Sequence, residues 1–119
     1  MLLAAGVLAG CHGGDEQIAA SWVIAPAAPA TGSDTSVHVT LRDAGQHLVA
    51  GADLQLEAHM YHPGMAPVVT PVTERSAGEY EGAIRFTMAG DWVLVLTGTL
   101  RDGTRVTETH EIAGVKPAG

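Results

Sequence analysis

Apolar and polar residues largely alternate along the chain from Ile18 onward, and this period-two pattern most constrains the fold. Turn-forming residues interrupt the pattern at short intervals, and no stretch has the 3.6-residue period of an amphipathic helix. The segments predicted as strands are 21–25, 36–42, 52–62, 68–74, 79–88, 92–100 and 104–112. Seven strands with short links predict an all-β fold, an immunoglobulin-like antiparallel β-sandwich.

Alternation also predicts which side chains face the core, because successive residues of a strand point to opposite faces. In the second predicted strand His38 points outward and its apolar neighbours point inward. In the third strand the inward row changes from aliphatic residues to Met60 and His62 at its end. Besides Met60 and His62, the residues predicted to face inward are Val37, Val39, Leu41, Ala52, Leu54, Leu56, Ala58, Tyr80, Ile84, Phe86, Met88, Trp92, Leu94 and Leu96.

Size and charge limit the function. The 119 residues suffice for one compact domain. The formal net charge of −7 comes without any cluster of Lys or Arg, so the chain lacks the basic patch that binds phosphates, and we expect no nucleic-acid partner.

The first ten residues form an uncharged apolar run that is long enough for the core of a signal peptide but too short to cross a bilayer as a helix. The run ends in Leu8-Ala9-Gly10-Cys11, which resembles the bacterial lipobox. We therefore expect a signal peptide over 1–10, a lipidated Cys11 that starts a flexible tether over 11–19, the domain over 20–114 and a tail over 115–119. This predicts a lipid-anchored protein of the bacterial cell envelope, facing the periplasm or the exterior. The alternative is a chance run of small residues with an unmodified cysteine.

A short segment concentrates two imidazoles and two thioethers. Met60 and His62 lie two apart on an extended strand, so their Cα atoms would be about 6.6 Å apart on one face. Pro63-Gly64 suits the centre of a type II turn, which would bring Met65 to within about 7 Å of His62. These three side chains could therefore meet at one ion.

Thioethers are soft and neutral, so a Met/His set favours Cu(I), whereas Zn²⁺ more often recruits cysteinate, carboxylate or further histidines. His59 should face away unless a bulge turns it inward. Met88 is predicted as a core residue that could also supply a further thioether. The competing interpretation is that Met60 and Met65 fill an irregular sandwich end, with His62 hydrogen-bonded at the rim; the residues alone leave both open.

Nothing in the sequence indicates an enzyme. There is no nucleophile elbow, no His-Glu pair on a helix and no glycine-rich phosphate loop, and the single cysteine is assigned to lipid. His110 alternates with Val106, Glu108 and Ile112, which predicts a rim histidine paired with a polar neighbour.

Several segments together resemble the YtkA-like family, which includes the periplasmic domain of FixH-like proteins. The resemblance lies in segments 37–41, 51–54, 62–65, 78–80 and 86–92, and the last of these, Phe-Thr-Met-Ala-Gly-Asp-Trp, is the most characteristic. It implies an immunoglobulin-like sandwich, export, and association with copper handling or haem-copper oxidase assembly.

The resemblance also implies roles for individual residues. The family's Met/His turn is matched by Met60, His62 and Met65, and its Met-Ala-Gly-x-Trp hairpin by Met88 to Trp92, the latter as a structural element. Unlike FixH-like chains, this chain has a lipobox instead of a long N-terminal membrane helix.

Two functional hypotheses follow. In the first, an envelope lipoprotein binds copper, as Cu(I), at the Met/His turn and buffers it or passes it to another copper-handling or oxidase-assembly protein. In the second, the domain is a non-metal interaction module of the bacterial envelope. A small-molecule binder is a third, weaker alternative.

Overall fold

Two four-stranded antiparallel sheets make up the fold in the computed structural model, which describes residues 17–62 and 64–118. The predicted signal peptide, Cys11 and Pro63 lie outside these residues. No helix among the described residues is long and apolar enough to cross a membrane. The strands are β1 (Ala19–Ala25), β2 (Asp34–Arg42), β3 (Asp53–Met60), β4 (Val68–Pro71), β5 (Thr73–Ser76), β6 (Glu79–Arg85), β7 (Gly90–Thr99) and β8 (Arg105–Val115).

The strand order confirms the predicted sandwich. Sheet I has the order β1-β2-β6-β5 and sheet II the order β4-β3-β7-β8, with antiparallel pairing throughout. This corresponds to the ABED and CFG sheets of a constant-type immunoglobulin domain, with β4 added beside the C strand. The sandwich is therefore immunoglobulin-like, with eight strands where the sequence predicted seven.

The inward rows predicted from alternation form the core. The side chains of sheet I and those of sheet II interdigitate between the sheets, as expected when each strand has one apolar face. The most deeply buried include Val37, Val39, Leu41, Leu56, Tyr80, Ile84, Phe86, Trp92, Leu94 and Leu96.

The extra strand arises because the predicted segment 68–74 divides at Val72. Its first part, β4, pairs with β3 in sheet II, and its second part, β5, pairs with β6 in sheet I. Pro71 has no N–H to donate to a continuing ladder, and the next side chain, Val72, packs against the core. The chain therefore crosses between sheets at this point.

The last strand is longer than predicted. β8 extends to Val115, which is buried, although the sequence assigned residue 115 to a tail. Beyond it, the N–H of Lys116 donates to the carbonyl of Pro29, and the N–H of Ala118 donates to Thr31 Oγ1. Residues 115–118 are thus held by the strand and by a neighbouring loop.

Candidate functional site

The three methionines of the described residues lie at one end of the sandwich. Met60 closes β3, Met65 lies in the connection from β3 to β4, and Met88 lies in the connection from β6 to β7. Because β3 and β7 are antiparallel, with Met60 opposite Trp92, the end of β3 and the start of β7 lie side by side. We call this region, with His62, the methionine end.

Met60 is half-buried and packs against the core. Its Cε lies only 3.2 Å from the position that a Cβ on residue 90 would take, and Gly90 has φ of +128°, a region that favours glycine. A glycine at position 90 therefore leaves the space that the Met60 thioether methyl occupies.

The structure contradicts the prediction that Met88 belongs to the core. The inward row of β6 ends at Phe86, because the ladder stops at Arg85 and the chain then leaves the sheet. The Met88 side chain is 47% exposed, while its carbonyl oxygen accepts a 2.9 Å hydrogen bond from Trp92 Nε1. The buried indole thus fixes the Met88 backbone and leaves the thioether in solvent.

The side chains of His59 and Met60 do not share a face of the sheet. The pairing of β3 with β7 is regular through His59 and Met60, so no bulge turns His59 inward and the two side chains point to opposite faces. His59 Nε2 lies 2.8 Å from Glu57 Oε1 on the outer face of sheet II. His59 therefore lies on the face where a regular strand was predicted to place it, opposite to Met60.

The structure also differs from the predicted spacing of Met60 and His62 along one extended strand. β3 ends at Met60, two residues earlier than predicted, so the extended-strand spacing does not apply to this pair. His62 and Met65 are both exposed. Gly64 has φ of +83°, the sign that the third residue of a type II turn requires.

Tyr61, between the two predicted ligands, is hydrogen-bonded to a side chain of β8, the strand beyond β7 in sheet II. Its hydroxyl donates to Glu111 Oε2 at 3.3 Å, across the outer face of sheet II. Partial desolvation raises the pKa of Tyr61, and the nearby charges of Glu111 and Asp91 act in the same direction. The phenol therefore remains protonated at neutral pH and can keep donating this bond.

Histidines elsewhere have structural partners. His38 Nε2 lies 3.3 Å from Glu79 Oε1, outward as predicted. His110 instead stacks on Trp22 with ring centroids 5.2 Å apart, where the sequence predicted a polar partner. The alternation of Ala20, Trp22 and Ile24 could have indicated that Trp22 faces inward, but not which residue of the other sheet it meets.

Within the described residues, no three His, Cys, Asp or Glu side chains are placed to hold a metal ion together. A surface depression of about 520 Å³ lies toward the opposite end of sheet II, lined by residues such as Asp53, Val69 and Thr99, so it is not part of the methionine end.

Comparisons with known proteins agree with the fold. The chain is similar to MtrC from Shewanella baltica OS185 in its crystal structure, with a TM-score of 0.50 and 13% sequence identity. The match covers 86% of this chain but only 22% of that chain, and at this identity it shows the fold alone. A search of curated proteins finds no match.

The family comparison is more specific. The family model described as YtkA-like matches residues 20–97, which reach from β1 into β7 and include Met60, His62, Met65 and Met88. This match covers well over half of the chain. The chain belongs to the YtkA-like family.

Proposed function

We propose that this domain binds one copper ion, as Cu(I), at the methionine end and buffers it or delivers it to a partner, without catalysing a reaction. The observation that carries this proposal is the placement of Met60, Met65 and Met88 at one end of the sandwich, next to His62. Three thioethers and an imidazole are the soft and borderline donors that Cu(I) prefers.

Exposure favours a ligand role over packing for two of the methionines. Met65 is 37% exposed and Met88 is 47% exposed, so neither fills an interior gap. Met60 packs against the core, and packing alone would account for it. Leaving two long apolar side chains in solvent has no benefit for the fold, whereas a soft cation would cover them.

Trp92 connects the backbones of Met60 and Met88. Trp92 is the cross-strand partner of Met60, and its Nε1–H holds the Met88 carbonyl. Because both backbones are fixed before an ion arrives, bringing these two thioethers together costs less conformational entropy than ordering a free loop. His62 and Met65, from the adjacent connection, would complete the set.

Proton competition at such a site would be small. A thioether needs no deprotonation, so only the imidazole of His62 competes with protons for the metal. This suits an envelope compartment whose pH follows the surroundings. It is also consistent with exchange of the ion between proteins, because exposed neutral ligands can be replaced one at a time.

The direction in which the chain enters the domain supports delivery to a partner. β1 begins at Ala19 beside Arg42, at the opposite end of the sandwich from the methionines. β7 has ten residues, so the two ends are about 34 Å apart. If Cys11 carries a lipid, the methionine end points away from the bilayer, toward other copper-handling or oxidase-assembly proteins of the bacterial envelope.

Anaerobic Cu(I) titration against a chromogenic chelator tests the metal site. We expect Met60→Leu, Met65→Leu and Met88→Leu each to weaken copper retention at least several-fold. The matched control is the double variant Met88→Leu/Leu48→Met. It keeps the number of exposed methionines, because Leu48 is 44% exposed at the other end of the sandwich.

The double variant should bind as poorly as Met88→Leu, since the thioether is then in the wrong place. Binding equal to wild type would show that methionine content matters and not position. If wild type competes no better than a variant lacking all three methionines, there is no copper site, and the interaction-module alternative is favoured.

The anchor is tested separately by expressing the Cys11→Ser variant in bacteria and fractionating the cells. We expect the variant to leave the membrane fraction and the unsubstituted chain to remain in it. Retention of Cys11→Ser in membranes would contradict the lipoprotein assignment without affecting the copper proposal.

A further inference from the structure

Each sheet of the sandwich ends in two edge strands, and three of these four edges carry features that prevent pairing with another chain. β4 has only four residues and ends in Pro71. β5 also has four residues, contains Glu74 and Arg75, and has an irregular register with β6. Short, charged or irregular edges are the usual protection against strand addition.

The third protected edge is β8, which is long but carries charged residues. Its eleven residues include Arg105, Glu108 and Glu111. Directly beyond its last residue, the backbone of Lys116 pairs with that of Pro29 and Thr31. A second copy of β8 laid antiparallel on this edge would bring carboxylates of the two chains close together.

β1 has none of these features. Its sequence, Ala-Ala-Ser-Trp-Val-Ile-Ala, contains no charge, proline or glycine. All seven residues pair in unbroken register with β2, and among the described residues no strand pairs with its other side. Val23, near the middle of the strand, is 62% exposed on the outer face.

We propose that β1 is a self-association edge, on which a second copy of this chain pairs its own β1 in antiparallel orientation. Full overlap of the two strands places the two-fold axis at Trp22, so that Ser21 lies opposite the second copy's Val23. The two sheets I then form one continuous eight-stranded sheet. An interface of this kind is isologous, with the same residues contributed by both copies.

Charge argues for a second copy on this edge in particular. Each chain has a formal net charge of −7, so two copies repel unless the contact itself is neutral. β1 and β4 are the two edge strands of the sandwich without a charged residue, and β4 is only four residues long and ends in proline. At physiological ionic strength the remaining carboxylates are screened beyond about 8 Å.

The inner side of β1 is already prepared for such a contact. Ala20, Trp22 and Ile24 pack against the core, and the Trp22 ring is held by its stacking on His110. The strand is therefore ordered before association, which lowers the entropic cost of pairing. Seven residue pairs form a small interface, so the expected dimer is weak and dependent on concentration.

Sedimentation velocity over a concentration series tests the proposal, using the full chain with Cys11→Ser and a chelator to remove metal. Val23→Lys places a charge on the proposed interface. The matched control is Val69→Lys on β4, because Val69 is 52% exposed and the net charge changes equally. We expect dimers for the parent and for Val69→Lys, and monomers for Val23→Lys.

A parent that stays monomeric at all concentrations would overturn the proposal, and so would equal loss of dimer in both lysine variants. Because metal is absent, neither result depends on the copper site. The register is tested by mixing two single variants, Ser21→Cys and Val23→Cys, in the Cys11→Ser background.

Directly paired residues have Cα separations of about 4.5–5.5 Å, within the range that a disulfide accepts. We expect the mixture to form disulfide-linked dimers several-fold faster than either variant alone. Equal rates in all three samples would indicate random collision and would exclude this register.

Discussion

Replacing Tyr80 by phenylalanine should destabilise the domain through two backbone groups, without creating a cavity. The Tyr80 ring is 1% exposed, and its hydroxyl donates to the Val49 carbonyl at 2.8 Å and accepts from the Ala52 N–H at 3.1 Å. Tyr80→Phe removes the shared partner of both groups. Leaving a buried polar group unpaired costs about 1–3 kcal/mol. Because residues 49–52 are half-exposed and water can reach part of them, we expect a loss of about 2 kcal/mol.

Urea denaturation followed by tryptophan fluorescence measures this loss. For a domain of this size, the expected fall in Tm is roughly 10 °C. Tyr61→Phe is the matched control, since Tyr61 is 60% exposed and its hydroxyl makes one 3.3 Å bond; it should change the free energy of unfolding by less than about 0.5 kcal/mol. If the two variants lose the same stability, the Tyr80 hydroxyl does not hold the connection between β2 and β3.

Three further predictions concern other parts of the fold. Gly98→Ala should destabilise the domain by roughly 1–3 kcal/mol in urea denaturation, because a Cβ there would overlap the carbonyl of Asp53 on the paired strand; wild-type stability would contradict the observed approach of β3 and β7. The backbone N–H groups of Gly78 and Gly51 lower the pKa of Glu74, so the stability that Glu74 contributes is present above its unfolded-state pKa and is lost as pH falls through its lower folded-state pKa. Glu74→Gln should therefore weaken the loss of stability in acid, measured as Tm between neutral pH and pH 3. An unchanged pH profile would exclude Glu74 as a source of this dependence. His110→Ala should cost about 0.5–1.5 kcal/mol and alter Trp22 fluorescence, since it removes the stacked imidazole; no spectral change would argue against the stack.

Local patterns predicted much of the core correctly. Period-two alternation identified the inward residues of β2, β3, β6 and β7, because each strand has one face buried and one face in solvent. The same rule failed at Met88, since it assumes that the strand continues. β6 ends at Arg85, and beyond the end of a strand the alternation of residues no longer predicts which side chains are buried.

The candidate site was predictable in composition but not in arrangement. The Met/His segment near the end of the third strand was visible in the sequence, and so was the need for a glycine with positive φ at position 64. The proximity of Met60 to the Met88 connection was not, because it depends on the pairing of β3 with β7 across more than thirty residues. Sequence spacing measures distance along one chain segment and carries no direct information about which distant segment becomes its neighbour.

The sequence by itself determined the strand periodicity, the neutral character of β1, the acidic charge and the shortage of cysteine. These properties depend on residue type and local order alone. Only the tertiary structure decided that segment 68–74 divides between two sheets, that Met60, Met65 and Met88 lie at one end, and that β1 lies at an edge. Each of these outcomes depends on which strands pair, and pairing is set by the burial of all the apolar faces together.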